Sequence, residues 1–104
     1  AMKMMQMTDR IARIHYAEHL EKPFYGELAA FMTSAPLVAM VLAGENAIAR
    51  VRELHGGTNP VNAAEGTIRK RFAKNGSENA VHASDSPESA AREVHIFFSE
   101  TEIF

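Results

Sequence analysis

The stretch Asn79-Ala80-Val81-His82-Ala83-Ser84-Asp85-Ser86-Pro87-Glu88-Ser89-Ala90-Ala91-Arg92-Glu93 constrains this chain more than any other. A short apolar run ends on a histidine, a polar turn follows, and then the signals of a helix start. Asp85 or Ser86 suits the cap position, Pro87 suits the first helical turn, and Glu88 stands where a capping-box acid belongs. The pattern predicts a strand over Asn79–His82 and a helix from Pro87 to about Phe98. That helix buries Ala90, Val94 and Phe97, with Ala91 and Phe98 beside them, and leaves Glu93 off the buried stripe. His82 then stands at a strand end beside helix-start amides that attract anions. An imidazole neutral at pH 7 is a usable nucleophile. A histidine in such a place is also commonly just a polar residue leaving a core.

The rest of the chain sets the frame. At 104 residues it makes one domain with a modest core. A hydrophobic share of 46% and a charged share of 23% are those of a globular protein. A net charge of −2 supplies no basic field for nucleic acid or membrane. There are no cysteines, hence no disulfide framework and no thiolate metal site, which fits a reducing cytoplasm. No apolar run reaches membrane-spanning length, and the N-terminus lacks the shape of a signal peptide.

Ala1–Met7 opens inside an alternating apolar pattern and reads as a strand with Met2, Met4 and Gln6 on one face, the methionines packed into a core. Thr8 caps a helix expected to reach about Leu20, with Ile11, Ile14 and Ala17 inward. His15 and His19, four apart, read as two exposed histidines on one helical face; with His55 they are also the only basis for a metal-binding reading, and the zinc-peptidase pattern is broken by Tyr16. Lys22–Gly26 is a turn presenting Phe24 and Tyr25, either a clasp between helices or a platform for a base. A short helix over Glu27–Met32 follows. Leu37–Ala43 is an almost unbroken apolar run, expected as a strand buried on both faces. Glu45–Leu54 reads as a helix with Ala47, Ile48, Val51 and Leu54 inward and Arg50 and Arg52 outside that stripe. Gly56–Gly66 is a long loop of the kind that is functional or part of an interface, and it holds no phosphate-loop motif. Thr67–Phe72 is a helical turn carrying Arg69, Lys70 and Arg71. The apolar end Ile103-Phe104 reads as a tail that docks on the body or on a neighbouring subunit.

Asn-Ala-Val-His-Ala-Ser-Asp-Ser (Asn79–Ser86) closely resembles the active-site signature of nucleoside diphosphate kinases of the bacterial type, and the likeness extends over essentially the whole chain. The resemblance implies an α+β fold, a ferredoxin-like antiparallel sheet with helices on one face. It also implies departures. The family's opening strand and first helix have no counterpart here, so the domain is N-terminally incomplete relative to the family, and no residue matches the Lys of its Lys-Pro-Asp motif. Ala83 stands where the family usually has Gly; if that position needs positive φ, Ala costs about 1 kcal/mol. Gly76 replaces an apolar residue that commonly lines the nucleotide site.

The activity implied is transfer of the γ-phosphoryl group of a nucleoside triphosphate to a nucleoside diphosphate, in ping-pong fashion, through a phosphohistidine at His82. By the same resemblance Ser84 and Glu93 hold and polarise the catalytic ring. Tyr16 lies at the phosphate end and Phe24 stacks on the base. Arg52, Thr58 and Arg69 hold phosphates, Asn79 bonds the ribose 3′ side, and Lys70 and Arg71 are ordinary surface. Mg²⁺ arrives on the nucleotide phosphates, with no protein metal site. The partners are nucleoside di- and triphosphates and further copies of the chain in a tetramer or hexamer, with no membrane and no specific nucleic acid. The location implied is the cytoplasm. The alternative is a catalytically impaired nucleotide-binding or oligomerising fragment of the same fold.

Overall fold

A computed structural model describes all 104 residues. The chain forms two compact units, Ala1–Leu42 with Ala91–Phe104, and Ala43–Ala90. The class is α+β, as expected: one small antiparallel sheet and several helices.

In the first unit β1 (Met2–Met5) pairs antiparallel with β2 (Leu37–Met40), in the register Met2↔Met40, Lys3↔Ala39, Met4↔Val38 and Met5↔Leu37. Side chains alternate across a strand, so this register sorts them onto two faces. Met5 and Leu37 face inward, and Leu37 packs on a core of Met7, Ala12, Tyr16 and Leu28. Met2, Met4, Val38 and Met40 share the other face and are exposed, the first two at 72% each. The methionine stripe is therefore the open face of the sheet. β2 is likewise covered on one face only and ends at Met40, three residues short of Ala43, with Leu42 exposed.

α1 (Asp9–His15) starts where expected. The Thr8 hydroxyl accepts from the Ile11 amide at 3.2 Å, a cap worth about 1 kcal/mol, and Asp9 suits the positive end of the helix. It stops five residues before Leu20. Arg92 donates to the carbonyls of Ile14 and His15, both at 3.2 Å, and satisfies two acceptors of the helix C-terminus. The chain then tightens into a 3₁₀ turn, Ala17–His19. The buried face of α1 is Ala12, His15 and Tyr16, while Ile14 and Ala17 are exposed. A rotation of the stripe by one residue thus buries a histidine in place of an isoleucine.

α2 (Tyr25–Met32) begins two residues earlier than the sequence pattern implied and buries Leu28. The tail is docked by charge. Lys3 Nζ lies 2.9 Å from Glu102 Oε2 and 4.8 Å from the centre of the Phe98 ring. Glu102 accepts from the Ser99 amide, and this bond, with Lys3 next in weight, holds its carboxyl down at about 2. Ile103 is half-buried and Phe104 is fully exposed, so the last residue does not dock on the body of its own chain.

In the second unit Asn46, in the left-handed region at φ 53°, turns the chain into α3 (Ala47–His55). Ala47, Ile48 and Val51 are half-buried as expected, but Leu54 is 65% exposed. The long loop is ordered by its own bonds: the Asn59 carboxamide accepts from the Val61 amide at 3.1 Å, and Pro60 and Ala63 are buried. Thr67 caps α4 (Ile68–Phe72), accepting from the Lys70 amide and donating to the Ala64 carbonyl at 2.7 Å. Ser86 caps α5 (Pro87–Phe97), its hydroxyl accepting from the Ser89 amide at 3.0 Å, so of the two candidate caps Ser86 takes the position. No helix is long and apolar enough to cross a membrane.

Asn79–His82 is not a strand. A strand needs a ladder partner and extended dihedrals. Here Ala80 sits at φ 71° and the Val81 amide turns back to the Asn79 carbonyl at 2.9 Å. Ala83 is not among the positive-φ residues, so alanine carries no backbone penalty there.

Gly56, the C-cap of α3, has φ 88°, and a Cβ built on it would lie 2.5 Å from Thr67 Oγ1 and 2.7 Å from Thr67 Cβ. Rotating Thr67 cannot clear the second contact and would break the cap of α4. Gly56→Ala is therefore expected to lower stability by about 2 kcal/mol or more, measured as a shift in the urea midpoint with the m-value unchanged.

Candidate functional site

Two arginines of the second unit hold the backbone around His82. Arg69, on the first turn of α4, is 6% exposed. It donates from Nη1 to the Gly56 carbonyl at 3.0 Å and from Nη2 to the Val81 carbonyl at 2.9 Å. Arg52, exposed on the last turn of α3, donates from Nη1 to the Ala83 carbonyl at 3.1 Å. The residues before and after His82 are thus each tied to a guanidinium, and the imidazole between them is exposed. These bonds replace the missing strand ladder as the means of positioning the histidine.

The electrostatics follow. Neither guanidinium is paired with a carboxylate at ion-pair distance. Burial and the neighbouring charge of Arg52 lower the pKa of Arg69, whose Nε is buried without a hydrogen-bond partner. Two cations held near one another on neutral carbonyls keep their full charge, which is what a phosphate chain requires. The carboxyl of Asp85 is held below its usual range, first by a hydrogen bond from Ser89 and in part by Arg52.

The remaining predicted residues of this unit fall around the same loop. The Asn79 carboxamide donates to the Gly76 carbonyl at 3.1 Å, Ser84 is half-buried, and Thr58 is exposed at the start of the long loop. Lys70 donates to the Val61 carbonyl, and Arg71 lies over the Phe72 ring. Gly76 is open, with nothing near the position of a Cβ.

The first unit holds Tyr16, Phe24 and Glu93. Phe24 is 43% exposed and inclined against His19 with ring centres 5.5 Å apart, which leaves part of the ring free to stack. Tyr16 is buried against the His15 ring, and its hydroxyl is pushed up to about 12, by burial first and then by Glu93 and Tyr25, so the phenol keeps its proton. Glu93 is buried on α5, 3.6 Å from His15 Nδ1, and His15 also packs edge-on to Phe97. The expectation of two exposed histidines at positions 15 and 19 fails: His15 is buried, and α1 ends there, so no continuous helical face carries both.

Sequence reasoning missed two histidines. His15 was read as an exposed helical residue and, with His19 and His55, as a basis for metal binding. His55 closes α3 beside the arginines; burial first, then Arg69, His82 and Arg52, lower its pKa.

A family model described as nucleoside diphosphate kinase matches residues 1–103. The chain belongs to that family. It is 59% identical to the nucleoside diphosphate kinase of Paracoccus denitrificans over 103 residues, which span 99% of this chain and 74% of that protein. It is 52% identical to the one from Methanobrevibacter smithii, covering 99% and 69%. Among solved structures, the Aquifex aeolicus nucleoside diphosphate kinase superposes with a TM-score of 0.95 at 48% identity, over 100% of this chain and 76% of that one. A halophilic nucleoside diphosphate kinase from Halobacterium salinarum, solved in complex with CDP, superposes at 0.94 with 39% identity over 99% and 69%.

The lowered pKa of His55 has a consequence for stability. The folded state binds its proton less readily than the unfolded chain, so stability is full above pH 6.5 and declines as pH falls from there through the folded value. Melting curves between pH 8 and 5 should show this decline reduced in His55→Gln relative to the parent.

Proposed function

We propose that this chain, as one domain over residues 1–104, transfers the γ-phosphoryl group of a nucleoside triphosphate to a nucleoside diphosphate through a phosphohistidine at His82. The observation that carries the reading is the pair of guanidinium bonds to the carbonyls of Val81 and Ala83, which tie the residues on either side of an exposed histidine to two cations not paired with carboxylates. Family membership supports it, as does the CDP bound by the halophilic relative.

The nucleotide is taken up as its Mg²⁺ complex. Arg52, Arg69 and Thr58 hold the phosphate chain, and Asn79 takes the ribose 3′ side. An imidazole nitrogen gives its electron pair to the γ-phosphorus and forms the N–P bond as the bond to the bridging oxygen breaks, and the nucleoside diphosphate leaves with the electron pair of that broken P–O bond. A second diphosphate attacks the phosphohistidine by the reverse path. Little covalent work falls to the protein, and catalysis is positioning plus charge stabilisation. Both half-reactions use one set of groups, which suits donor and acceptor that differ only in base. Stacking on Phe24 without base-edge bonds gives tolerance of all bases. Ser84, Glu93 and Tyr16, by the same family likeness, orient the ring and close the phosphate end. A homo-oligomer, tetramer or hexamer, and a cytoplasmic setting complete the proposal; a chain without cysteines needs no oxidising compartment.

Brief incubation with ATP and Mg²⁺ should add the mass of one phosphoryl group to the parent and none to His82→Ala. Turnover of the variant should fall by about 10⁵-fold or more, the scale of losing a nucleophile, with nucleotide affinity largely kept. Retained turnover in His82→Ala overturns the assignment.

A further inference from the structure

One guanidinium, that of Arg69, binds the carbonyls of both Gly56 and Val81. Each carbonyl lies one residue from a histidine, His55 before the first and His82 after the second. His55 is thereby brought to the edge of the arginine pair, although nothing in the transfer reaction calls for it.

The environment of this ring is divided against itself. It is half-buried, its Nδ1 is shielded from solvent without a hydrogen-bond partner, and every charged group that bears on it is basic. Those groups come from each neighbouring element: Arg52 from its own helix, Arg69 from α4, and His82 from the loop before α5. Burial first, and then these charges, lower its proton affinity. Acting the other way, it is the last residue of a nine-residue helix, where the macrodipole favours a cation. An anion would tip this balance. A nucleotide brings two or three negative phosphates to Arg52 and Arg69, and these would offset the charge repulsion that adds to burial in disfavouring the proton.

We propose that His55 is a third, conditional cation of the phosphate site: it takes up one proton from solvent as nucleotide phosphates bind beside Arg52 and Arg69, and so ties nucleotide affinity to pH. The inference rests on the reading of those arginines as phosphate ligands. Linkage makes the effect reciprocal, so whatever factor binding adds to proton affinity, protonation adds to nucleotide affinity. A shift of one pH unit in the ring's titration corresponds to a tenfold change in affinity.

The test uses the whole chain and ADP. The His55 ring proton is followed by NMR from pH 5 to 8, with and without saturating ADP. The dissociation constant of ADP is measured at pH 5.5 and 7.5 for the parent, His55→Gln and His55→Leu. The expected result is a rise of about one unit or more in the His55 midpoint on binding, and a pH dependence of affinity roughly tenfold steeper in the parent than in either variant. Comparison with the variants removes the titration of ADP and of His82, which all three share. An unmoved midpoint with ADP bound overturns the inference and leaves the phosphate site intact. ADP that does not bind at any pH, in a folded chain, overturns the inference together with the reading beneath it. Should both variants fail to fold, the parent's midpoint alone decides.

Discussion

The double bond-making of Arg69 is the interaction on which the second unit depends. Its two terminal nitrogens reach carbonyls 25 residues apart in sequence, Gly56 and Val81. Those carbonyls belong to segments with no ladder of their own, one the cap of α3 and the other a loop without strand pairing. Buried acceptors of this kind must find donors. A planar, permanently charged fork supplies two at fixed separation, which an ammonium cannot do. The geometry then propagates. Gly56 must be glycine because Thr67 stands over it, and Thr67 stands there because it caps the helix that carries Arg69. Glycine, threonine and arginine are thus one mechanical unit, closed on itself, with His82 held at its far side.

What was legible in the sequence divides along the same line between local and non-local causes. The starts of α1 and α5 were legible, because Thr8 and Ser86 act on amides only three residues away. The end of α1 was not, because the groups that satisfy its last carbonyls sit on Arg92, some 77 residues on. The same distance hid the burial of His15: hydrophobicity favours Ile14, and only the presence of Glu93 and Phe97 against that face makes the histidine the better interior residue. Apolar runs foretold strands but not how many faces would be covered, since that depends on what packs there. Asn79–His82 has strand composition, yet composition cannot supply a partner, and the chain turned at Ala80.

The candidate site was legible in its residue types and not in its means. Arg69-Lys70-Arg71 is a bare run of cations, and nothing intrinsic separates the first from the others. Helix rotation does: Arg69 points inward and the other two do not. The family signature singled out His82, Arg52 and Arg69, but it gave no hint that both arginines would be bonded to the chain on either side of the histidine. His55 carried no signal beyond its type, because its significance comes from three basic neighbours assembled from separate elements.

The choice of carbonyls over carboxylates as arginine partners has a functional logic. A carboxylate would hold a guanidinium more tightly but would cancel its charge, and a phosphate would then have to displace it. A carbonyl fixes the same geometry through a dipole and leaves the net charge in place. Burial first, and then the neighbouring charge of Arg52, lower the proton affinity of Arg69. Donors already positioned leave little ordering to oppose the binding of an anion. His82 stands on a loop that the same two cations keep in place.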